Sequence, residues 1–223
     1  MRRLYQTGVI ALSNMNTATY PSIHPHIKPF DAGQFKVVSF ELSEKEVEEA
    51  KMRAIFSRSS GEVSSLVAGR YMKLVDTKRQ QIVMSDTPME LETNAEFVEN
   101  AKGSVFVGGL GLGIVLMAIQ KKPEVTRILV VEREQELVDR IVSMLPLDSK
   151  VEVVQGDIFT YETTERFNTQ YFDIWNTICG DNWEEMKTLN ARYRKNRHPK
   201  AWVRSWRQED CRSIVYEENK YSW

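Results

Sequence analysis

The feature that most constrains the fold is a run of glycines that directly follows a short apolar segment. Residues Ser104–Val107 have the composition of a buried strand, and Gly108–Gly113 reads Gly-Gly-Leu-Gly-Leu-Gly. An apolar helix is predicted next, over Ile114–Gln120. Glycines at such a turn let the backbone bend tightly and let a ligand approach without a Cβ in its way. The sequence therefore predicts an α/β protein with a ligand site at this loop.

Strands and helices alternate along the rest of the chain. Apolar runs without polar alternation are typical of strands buried on both faces, and strands that alternate with helices form parallel sheets. The pattern predicts further strands at Arg127–Val131, Val151–Val154, Phe167–Phe172 and Ala201–Trp206, with helices at Glu134–Leu145 and Asp181–Arg197. We expect a Rossmann-like, doubly wound, mostly parallel α/β sheet over residues 104–223, truncated at its C-terminal edge.

The first 103 residues have a different pattern, which predicts a small N-terminal α+β segment. Three prolines within residues 1–34 indicate an extended arm rather than a packed element, and His24 and His26 are expected in a surface loop. Ser43 and Glu46 form a capping box that opens a helix through about Phe56. The remaining predicted elements are a strand at Phe35–Leu42, a loop at Ser57–Ser65, strands at Arg70–Val75 and Gln80–Ser85, and a helix at Thr93–Ala101 that Gly103 stops.

These elements divide the chain into three predicted parts. An arm and a strand–helix segment take residues 1–65, a hairpin and a helix take residues 66–103, and the Rossmann-like domain takes residues 104–223. We expect the N-terminal parts to lie on the substrate side or to form an oligomer contact.

Carboxylates follow the strands that come after the glycine loop. Glu132 ends the second strand, and an acidic residue there accepts hydrogen bonds from the two ribose hydroxyls of an adenosine. After the third strand comes Gly156-Asp157-Ile158, which places Asp157 to accept a hydrogen bond from an exocyclic adenine amine and Ile158 to cover a ring face. Asp173 ends the fourth strand. A nucleoside is therefore the predicted ligand.

The spacing of the glycines separates two kinds of nucleoside site. Dinucleotide-binding loops follow G-x-G-x-x-G, whereas Gly109, Gly111 and Gly113 follow G-x-G-x-G. The observed spacing is typical of S-adenosylmethionine sites, in which no pyrophosphate needs a helix N-terminus.

At this point the sequence resembles class I S-adenosylmethionine-dependent methyltransferases, in particular the branch similar to spermidine synthases. The resemblance covers roughly residues 66–206 and rests on the glycine loop, Val130–Glu132, Gly156–Asp157, Phe167–Asp173 and the upstream Met84–Pro88. It implies S-adenosylmethionine as cofactor and a seven-stranded mixed sheet. The predicted cofactor-binding residues are Asp86, Gly108, Gly109, Leu110, Gly111, Leu112, Gly113, Glu132, Arg133, Gly156, Asp157, Ile158 and Asp173.

Some positions depart from the family pattern. Val107 stands where many of these enzymes have an acidic residue that meets the methionine amino group, so Asp86 or Asp173 is the alternative for that contact. Asn168 replaces an aspartate that is usual early in the fourth strand. The Glu90–Glu92 stretch has no tyrosine–histidine pair of the kind that spermidine synthases place around their amine acceptor.

Methyl transfer from a sulfonium is a direct displacement, in which a protein mainly supplies alignment and exclusion of water. Asp173 is the predicted catalytic residue, because it could orient an amine acceptor or take its proton. Trp175 could stack on a substrate or pack in the core. Two alternatives remain beside a methyltransferase: a polyamine aminopropyltransferase that uses the decarboxylated cofactor, and a non-catalytic protein that binds an adenosyl cofactor.

Composition limits the partners. The 30 Lys and Arg balance 31 Asp and Glu, for a formal charge of −1 over 223 residues, so no global charge favours a nucleic acid or a membrane. The chain has 2 cysteines, too few for a disulfide framework or a four-thiolate zinc site, and we expect no metal. A cytoplasmic protein with a small-molecule acceptor is the prediction, with a homo-oligomer left open.

One local segment could alter that prediction. Between Lys187 and Arg207 the chain carries basic residues interleaved with aromatic ones and no acidic residue. Such a segment could track phosphates and stack on bases, so nucleic acid is an alternative partner; a solvated helix face followed by a packed edge strand is the other interpretation. The basic residues are Lys187, Arg192, Arg194, Lys195, Arg197, Lys200, Arg204 and Arg207, and the aromatic ones are Tyr193, Trp202 and Trp206.

Overall fold

The computed structural model describes residues 9–11, 19–57, 63 and 65–220. The strands are β1 (Val9–Ala11), β2 (Thr19–Pro21), β3 (Phe30–Ala32), β4 (Phe35–Leu42), β5 (Gly69–Asp76), β6 (Gln81–Ser85), β7 (Gly103–Gly108), β8 (Val125–Glu132), β9 (Val151–Gln155), β10 (Phe167–Phe172) and β11 (Arg197–Ser205). The α-helices are α1 (Glu44–Ser57), α2 (Pro88–Thr93), α3 (Ala95–Asn100), α4 (Ile114–Ile119), α5 (Gln135–Met144), α6 (Gly180–Arg192) and α7 (Gln208–Lys220). Tyr193–Asn196 forms a 3-10 helix.

The chain forms two compact units, and neither is contiguous in sequence. The N-terminal unit combines Met1–Glu99 with Gly111–Ala118 and Ser143–Pro146. The parallel-sheet unit combines Asn100–Leu110, Ile119–Val142 and Leu147–Trp223. The predicted loop at Ser57–Ser65 lies largely outside the described residues, as does Trp223.

The parallel-sheet unit contains five strands in the order β11-β10-β7-β8-β9. Each neighbouring pair is parallel. From β7 the chain continues to β8 and β9 on one side and then returns for β10 and β11 on the other. This doubly wound order confirms the predicted Rossmann-like α/β fold, and it creates a topological switch point between β7 and β10.

The sheet is smaller than the resemblance implied. Within the described residues it has five strands, all parallel, instead of a seven-stranded mixed sheet, and β11 is its edge strand. The chain that follows β11 forms the helix α7, which the sequence analysis did not predict. This helix buries Cys211 in the core of the unit.

Aromatic rings fill the centre of this core. The ring centroids of Phe106 and Phe167 are 4.8 Å apart, and the centroids of Phe106 and Tyr193 are also 4.8 Å apart. Met186 and Leu189 of α6 belong to the same cluster. The cluster therefore fixes α6 and the segment after it against the strand that leads into the glycine loop.

The helix predicted at Asp181–Arg197 ends early, at Arg192, and β11 begins at Arg197 rather than Ala201. Buried Gln170 on β10 explains this end. Its Nε2 donates to the carbonyl oxygens of Tyr193 and Asn196, and its Oε1 accepts from Nε of Arg197. These tertiary bonds tie the chain to β10, which ends the α-helix.

An antiparallel sheet, β3-β4-β5-β6, dominates the N-terminal unit. β4 has the predicted bounds, and it pairs with β5 from Phe35 opposite Asp76 to Leu42 opposite Gly69. The expectation of an unpacked arm before β4 is wrong in part, because Tyr20, Ile23 and Ile27 are buried. These apolar side chains hold the arm in the unit.

Two other boundaries differ from the predictions. One helix was predicted at Thr93–Ala101, whereas the chain forms α2 and α3 on either side of Asn94. Pro88 stands in the first turn of α2, where its missing N–H costs no hydrogen bond. Gly103 does not cap a helix; it opens β7 with φ of 62°, and an added Cβ would meet the side chain of Asn168. None of the helices within the described ranges has the length and apolar character needed to cross a membrane.

The predicted capping box at the start of α1 is confirmed. The backbone N–H of Ser43 donates to Oε2 of Glu46 at 2.8 Å, and the backbone N–H of Glu46 donates to Oγ of Ser43 at 3.2 Å. The hydrogen bond from the Ser43 side chain, and next the one from its backbone, hold the pKa of the Glu46 carboxyl below its usual value.

We expect Glu46→Gln to lower the free energy of unfolding at pH 7 but not in acid. A depressed pKa in the folded state means that the ionised carboxylate stabilises the fold above its unfolded pKa, and that this contribution is lost as the pH falls through the folded value. Urea unfolding at pH 7 and pH 3 measures the difference, with exposed Glu48→Gln on the same helix as control. If Glu46→Gln lowers the free energy of unfolding as much at pH 3 as at pH 7, the ionised carboxylate of Glu46 is not the source of the stabilisation.

Candidate functional site

The carboxyl ends of four strands meet at one edge of the parallel sheet. The N–H of Gly109 donates to the carbonyl of Val131 at 2.9 Å, and the N–H of Gly156 donates to the carbonyl of Glu132 at 2.8 Å. On the other side of β7, the N–H of Asp173 donates to the carbonyl of Gly108 at 2.8 Å. The loops that follow β7, β8, β9 and β10 are therefore held together at the switch point, which is where open α/β sheets bind ligands.

The first two glycines of the loop have no room for a side chain. A Cβ on Gly109 would lie 2.1 Å from the carbonyl oxygen of Asp173, and the residue has φ of 98°. A Cβ on Gly108 would lie 3.0 Å from both Ile158 Cγ1 and Phe172 Cδ1. Glycine is needed here because the chain passes close to the backbone after β10. The reason predicted from the sequence was a different one, a tight turn that a ligand can approach.

The carboxylate of Glu132 fixes the start of the glycine loop. Oε2 accepts a hydrogen bond from the N–H of Leu110 at 2.9 Å, and Oε1 accepts one from the N–H of Glu134 at 3.0 Å. A carboxylate has about four acceptor positions on its two oxygens, so each oxygen keeps capacity for one more donor. Arg133, the next residue, is exposed and contacts Glu134 Oε1 through Nε at 3.0 Å.

The loop after β9 is a tight turn. The carbonyl of Asp157 accepts hydrogen bonds from the N–H groups of Thr160 and Tyr161, and its Oδ1 accepts one from the N–H of Phe159 at 2.8 Å. Asp157 is exposed, whereas the adjacent Ile158 is buried against Gly108. Gly156 opens the turn.

Asp173 and Trp175 lie beyond β10 in different surroundings. Asp173 is half-buried, and the next residue, Ile174, is exposed although apolar. Trp175 belongs to the buried core, and its indole Nε1 donates to Oε2 of Glu185 on α6 at 2.6 Å. Of the two interpretations of Trp175, these contacts favour packing in the core.

The second half of the glycine loop belongs to the N-terminal unit. Gly111 has φ of 52° and Gly113 has φ of 72°. Between them, the N–H of Leu112 points at Sδ of Met84 at 3.1 Å. A Cβ on Gly111 would lie 2.1 Å from the same sulfur atom, so the methionine packs directly on the loop backbone.

Asp86 is engaged inside the N-terminal unit. Its side chain is buried, Oδ1 accepts a hydrogen bond from the N–H of Met72 at 2.7 Å, and Nε2 of His24 lies 2.8 Å from Oδ2. These contacts join the arm to the antiparallel sheet, so they give Asp86 a structural role.

Two departures from the family pattern have a structural explanation. Val107 is fully buried in β7. Asn168 stands at the amino end of β10, where its Oδ1 accepts a hydrogen bond from the N–H of Ser104 at 3.0 Å. Asn168 therefore lies at the opposite end of the strand from Asp173, and its chemistry does not bear on the candidate edge.

Several side chains of the segment from Lys187 to Arg207 bind neighbouring protein groups. Lys187 pairs with Glu184 at 2.7 Å, and Arg207 pairs with Asp210 at 2.7 Å. Arg192 and Tyr193 contact the carbonyl oxygens of the turn after β9. The contact of Tyr193 could not be predicted from the sequence, because no spacing rule links this residue to a loop more than thirty residues earlier.

No protein-family model matches the chain, and no curated protein matches it. Among solved structures, the chain is similar to the N-methyltransferase NodS from Bradyrhizobium japonicum WM9 in complex with S-adenosyl-L-homocysteine, with 17% identity and a TM-score of 0.41 over 51% of this chain and 59% of that one. A DhpI–SAM–HEP complex has 15% identity and a TM-score of 0.43, over 74% of this chain and 67% of that one. Fibrillarin from Aeropyrum pernix with natively bound S-adenosyl-L-methionine has 14% identity and a TM-score of 0.38, over 46% of this chain and 44% of that one. The chain thus spans less than two thirds of the NodS structure that it matches.

Proposed function

We propose that this chain is an S-adenosylmethionine-dependent methyltransferase. The observation that carries the proposal is the position of Glu132 at the carboxyl end of β8, the neighbour of β7 in a doubly wound sheet, where its carboxylate also holds the N–H of Leu110 in the glycine loop. The G-x-G-x-G spacing of that loop supports an adenosyl sulfonium over a dinucleotide.

The residues of the parallel-sheet unit fit an adenosyl group. Glu132 keeps one acceptor position on each oxygen, which suits the two adjacent hydroxyls of a ribose. Asp157 is exposed and can accept from an adenine amine. The part proposed for Ile158, to cover a ring face, rests on its place directly after Asp157, because its side chain is buried against Gly108. For Arg133, Gly156, Asp86, Gly111, Leu112 and Gly113 the proposed role in cofactor binding rests on the sequence resemblance.

When bound, S-adenosylmethionine supplies an activated methyl group: the acceptor's lone pair forms the new bond to carbon while the carbon–sulfur pair passes to sulfur. The part proposed for Asp173 is to orient the acceptor or to take the proton that it loses. Its half-buried carboxyl group stands directly after β10, where its own N–H is fixed by Gly108. Exposed Ile174 gives the acceptor an apolar contact. The fixed loops supply alignment, which is the main requirement of such a displacement.

A small molecule is the acceptor that we propose. The alternative, nucleic acid, depends on basic side chains that are free to meet phosphates. Lys187 and Arg207 are paired with carboxylates, and Arg192 donates to backbone carbonyls. Arg197 donates to Gln170 and Asn190, and exposed Arg204 lies over the ring of Trp202. Exposed Arg194, Lys195 and Lys200 remain, which is a small surface for a phosphate backbone.

Titration calorimetry of the full chain tests the proposal. We expect S-adenosylmethionine and S-adenosylhomocysteine to bind and NAD to give no heat, because the loop spacing does not suit a pyrophosphate. Tighter binding of decarboxylated S-adenosylmethionine would favour an aminopropyltransferase instead. Binding of NAD together with no response to S-adenosylmethionine would overturn the proposal.

A further inference from the structure

Two consecutive residues, Arg192 and Tyr193, bind the backbone carbonyl groups of the turn after β9. The buried hydroxyl oxygen of Tyr193 lies 2.7 Å from the carbonyl oxygen of Ile158 and 3.0 Å from that of Tyr161, so its one hydrogen is shared between them. Nη2 of Arg192 donates to the carbonyl oxygens of Thr160 at 2.7 Å and Tyr161 at 3.1 Å. Three carbonyl groups of one turn thus face the end of α6.

These contacts fix the main chain of the turn at the residues that matter for a ligand. Ile158 supplies both a carbonyl to Tyr193 and the side chain that packs on Gly108. Asp157, one residue earlier, has its carbonyl bound to Thr160 and Tyr161, the two residues that Arg192 holds. A displacement at either contact would therefore move both candidate adenine contacts together.

Tyr193 itself cannot move easily. Its side chain is 2% exposed, and its ring lies 4.8 Å from that of Phe106 and 5.7 Å from that of Phe172, between centroids. Burial raises the pKa of the Tyr193 hydroxyl, so the group remains a hydrogen-bond donor throughout the neutral range. The carbonyl oxygens of Ile158 and Tyr161 are thus bound by a hydroxyl group whose position is fixed by packing, which restricts their movement.

We propose that Tyr193 and Arg192 are positioning residues, which hold the turn Asp157–Tyr161 and thereby set the affinity for the adenine part of the cofactor. The inference rests on the proposed function, because it assigns the turn to adenine. It also gives part of the basic segment a role other than binding phosphate: one guanidinium and one phenol of that segment are directed inward, to backbone oxygens.

The decisive variant is Tyr193→Phe, which removes the hydroxyl and keeps the ring. Tyr216→Phe is the matched control, because Tyr216 is 69% exposed on α7. In the ligand-free protein we expect amide hydrogen exchange at Phe159, Thr160 and Tyr161 to accelerate about fivefold, the change that one lost hydrogen bond of ordinary strength produces. The control should exchange as wild type does. Unchanged exchange in Tyr193→Phe would overturn the inference whether or not a ligand binds.

Affinity measurements separate positioning from a general loss of structure. We expect S-adenosylhomocysteine to bind about fivefold more weakly to Tyr193→Phe. The inosine analogue of the same ligand has no 6-amino group for Asp157, so its affinity should fall less. An equal loss for both ligands would overturn the inference and indicate a structural role. A wild-type chain that binds neither ligand would overturn the proposed function, and the exchange measurement would still report whether Tyr193 holds the turn.

A second pair of variants checks Arg192. Arg192→Lys keeps the charge, but an ammonium group lacks the planar fork that meets both carbonyl oxygens. We therefore expect the amide hydrogens of the turn to exchange faster than in wild type. The loss of affinity should again be larger for S-adenosylhomocysteine than for its inosine analogue. Arg194→Lys, at an exposed position two residues later, is its control. Wild-type exchange and wild-type affinities in Arg192→Lys would remove Arg192 from the proposal.

Discussion

Gly109→Ala is expected to lower the free energy of unfolding by about 3–5 kcal/mol and to abolish cofactor binding. The new Cβ would lie 2.1 Å from the carbonyl oxygen of Asp173, and the φ of 98° is strained for any residue with a side chain. Backbone strain of this kind costs about 1–3 kcal/mol, and displacing a neighbouring backbone segment adds to it. Urea unfolding measures the loss of stability, and calorimetry with S-adenosylhomocysteine measures the loss of binding.

Gly156→Ala is the matched control for stability. It stands in the same unit, its φ is not positive, and an added Cβ would come only within 3.3 Å of a ring atom of Tyr161, a side chain that can shift. We expect its stability to remain within about 1 kcal/mol of wild type. If both alanine variants lose the same free energy, the close approach of Gly109 to Asp173 does not determine the fold of the loop.

Glu132→Ala is expected to weaken the binding of S-adenosylmethionine by about 1.5–3 kcal/mol, or roughly 10- to 150-fold. The variant removes the proposed acceptor of the ribose hydroxyls, and it also leaves the N–H of Leu110 without its carboxylate partner. Calorimetry measures the affinity. Urea unfolding of the ligand-free variant measures the separate cost of the lost contact to Leu110.

Two further variants sharpen this result. Glu132→Gln keeps an oxygen acceptor but turns the other position into a donor, so its affinity should fall between those of wild type and Glu132→Ala. Glu136→Ala, at an exposed position of α5, should bind as wild type does. Wild-type affinity in Glu132→Ala would refute the assigned role, and with it the observation on which the proposed function depends.

Local chemistry explains which parts of the fold could be predicted. β4 and β10 have the predicted bounds, because a local signal follows each strand directly: the capping serine, Ser43, after β4 and Asp173 after β10. The glycine loop and Glu132 could be placed for the same reason, since strand ends and required glycines are properties of neighbouring residues. At Gly109 the structure adds the physical cause, a backbone oxygen that leaves no space.

The remaining features depend on contacts between distant residues. The end of α6 is set by buried Gln170, and nothing near Arg192 in the sequence indicates it. Helix α7 was missed because its apolar side is narrow, with Cys211, Ile214 and Val215 among charged residues. Tyr193 was grouped with the basic residues around it, although its hydroxyl serves a turn more than thirty residues earlier. Only the three-dimensional structure shows that Arg192 and Tyr193 bind the turn after β9, whereas their sequence neighbourhood is equally consistent with a phosphate-binding surface.

The discontinuous units have a consequence for how this chain is made. When residue 99 has left the ribosome, the N-terminal unit still lacks Gly111–Ala118, which includes the fully buried Leu116, and Ser143–Pro146. At usual rates of synthesis those residues follow on the order of seconds later. The N-terminal unit is therefore complete only after Gly111–Ala118 and Ser143–Pro146 have been made. We therefore expect a chain that ends at residue 103 not to fold as an independent domain, because it lacks buried residues of its own unit.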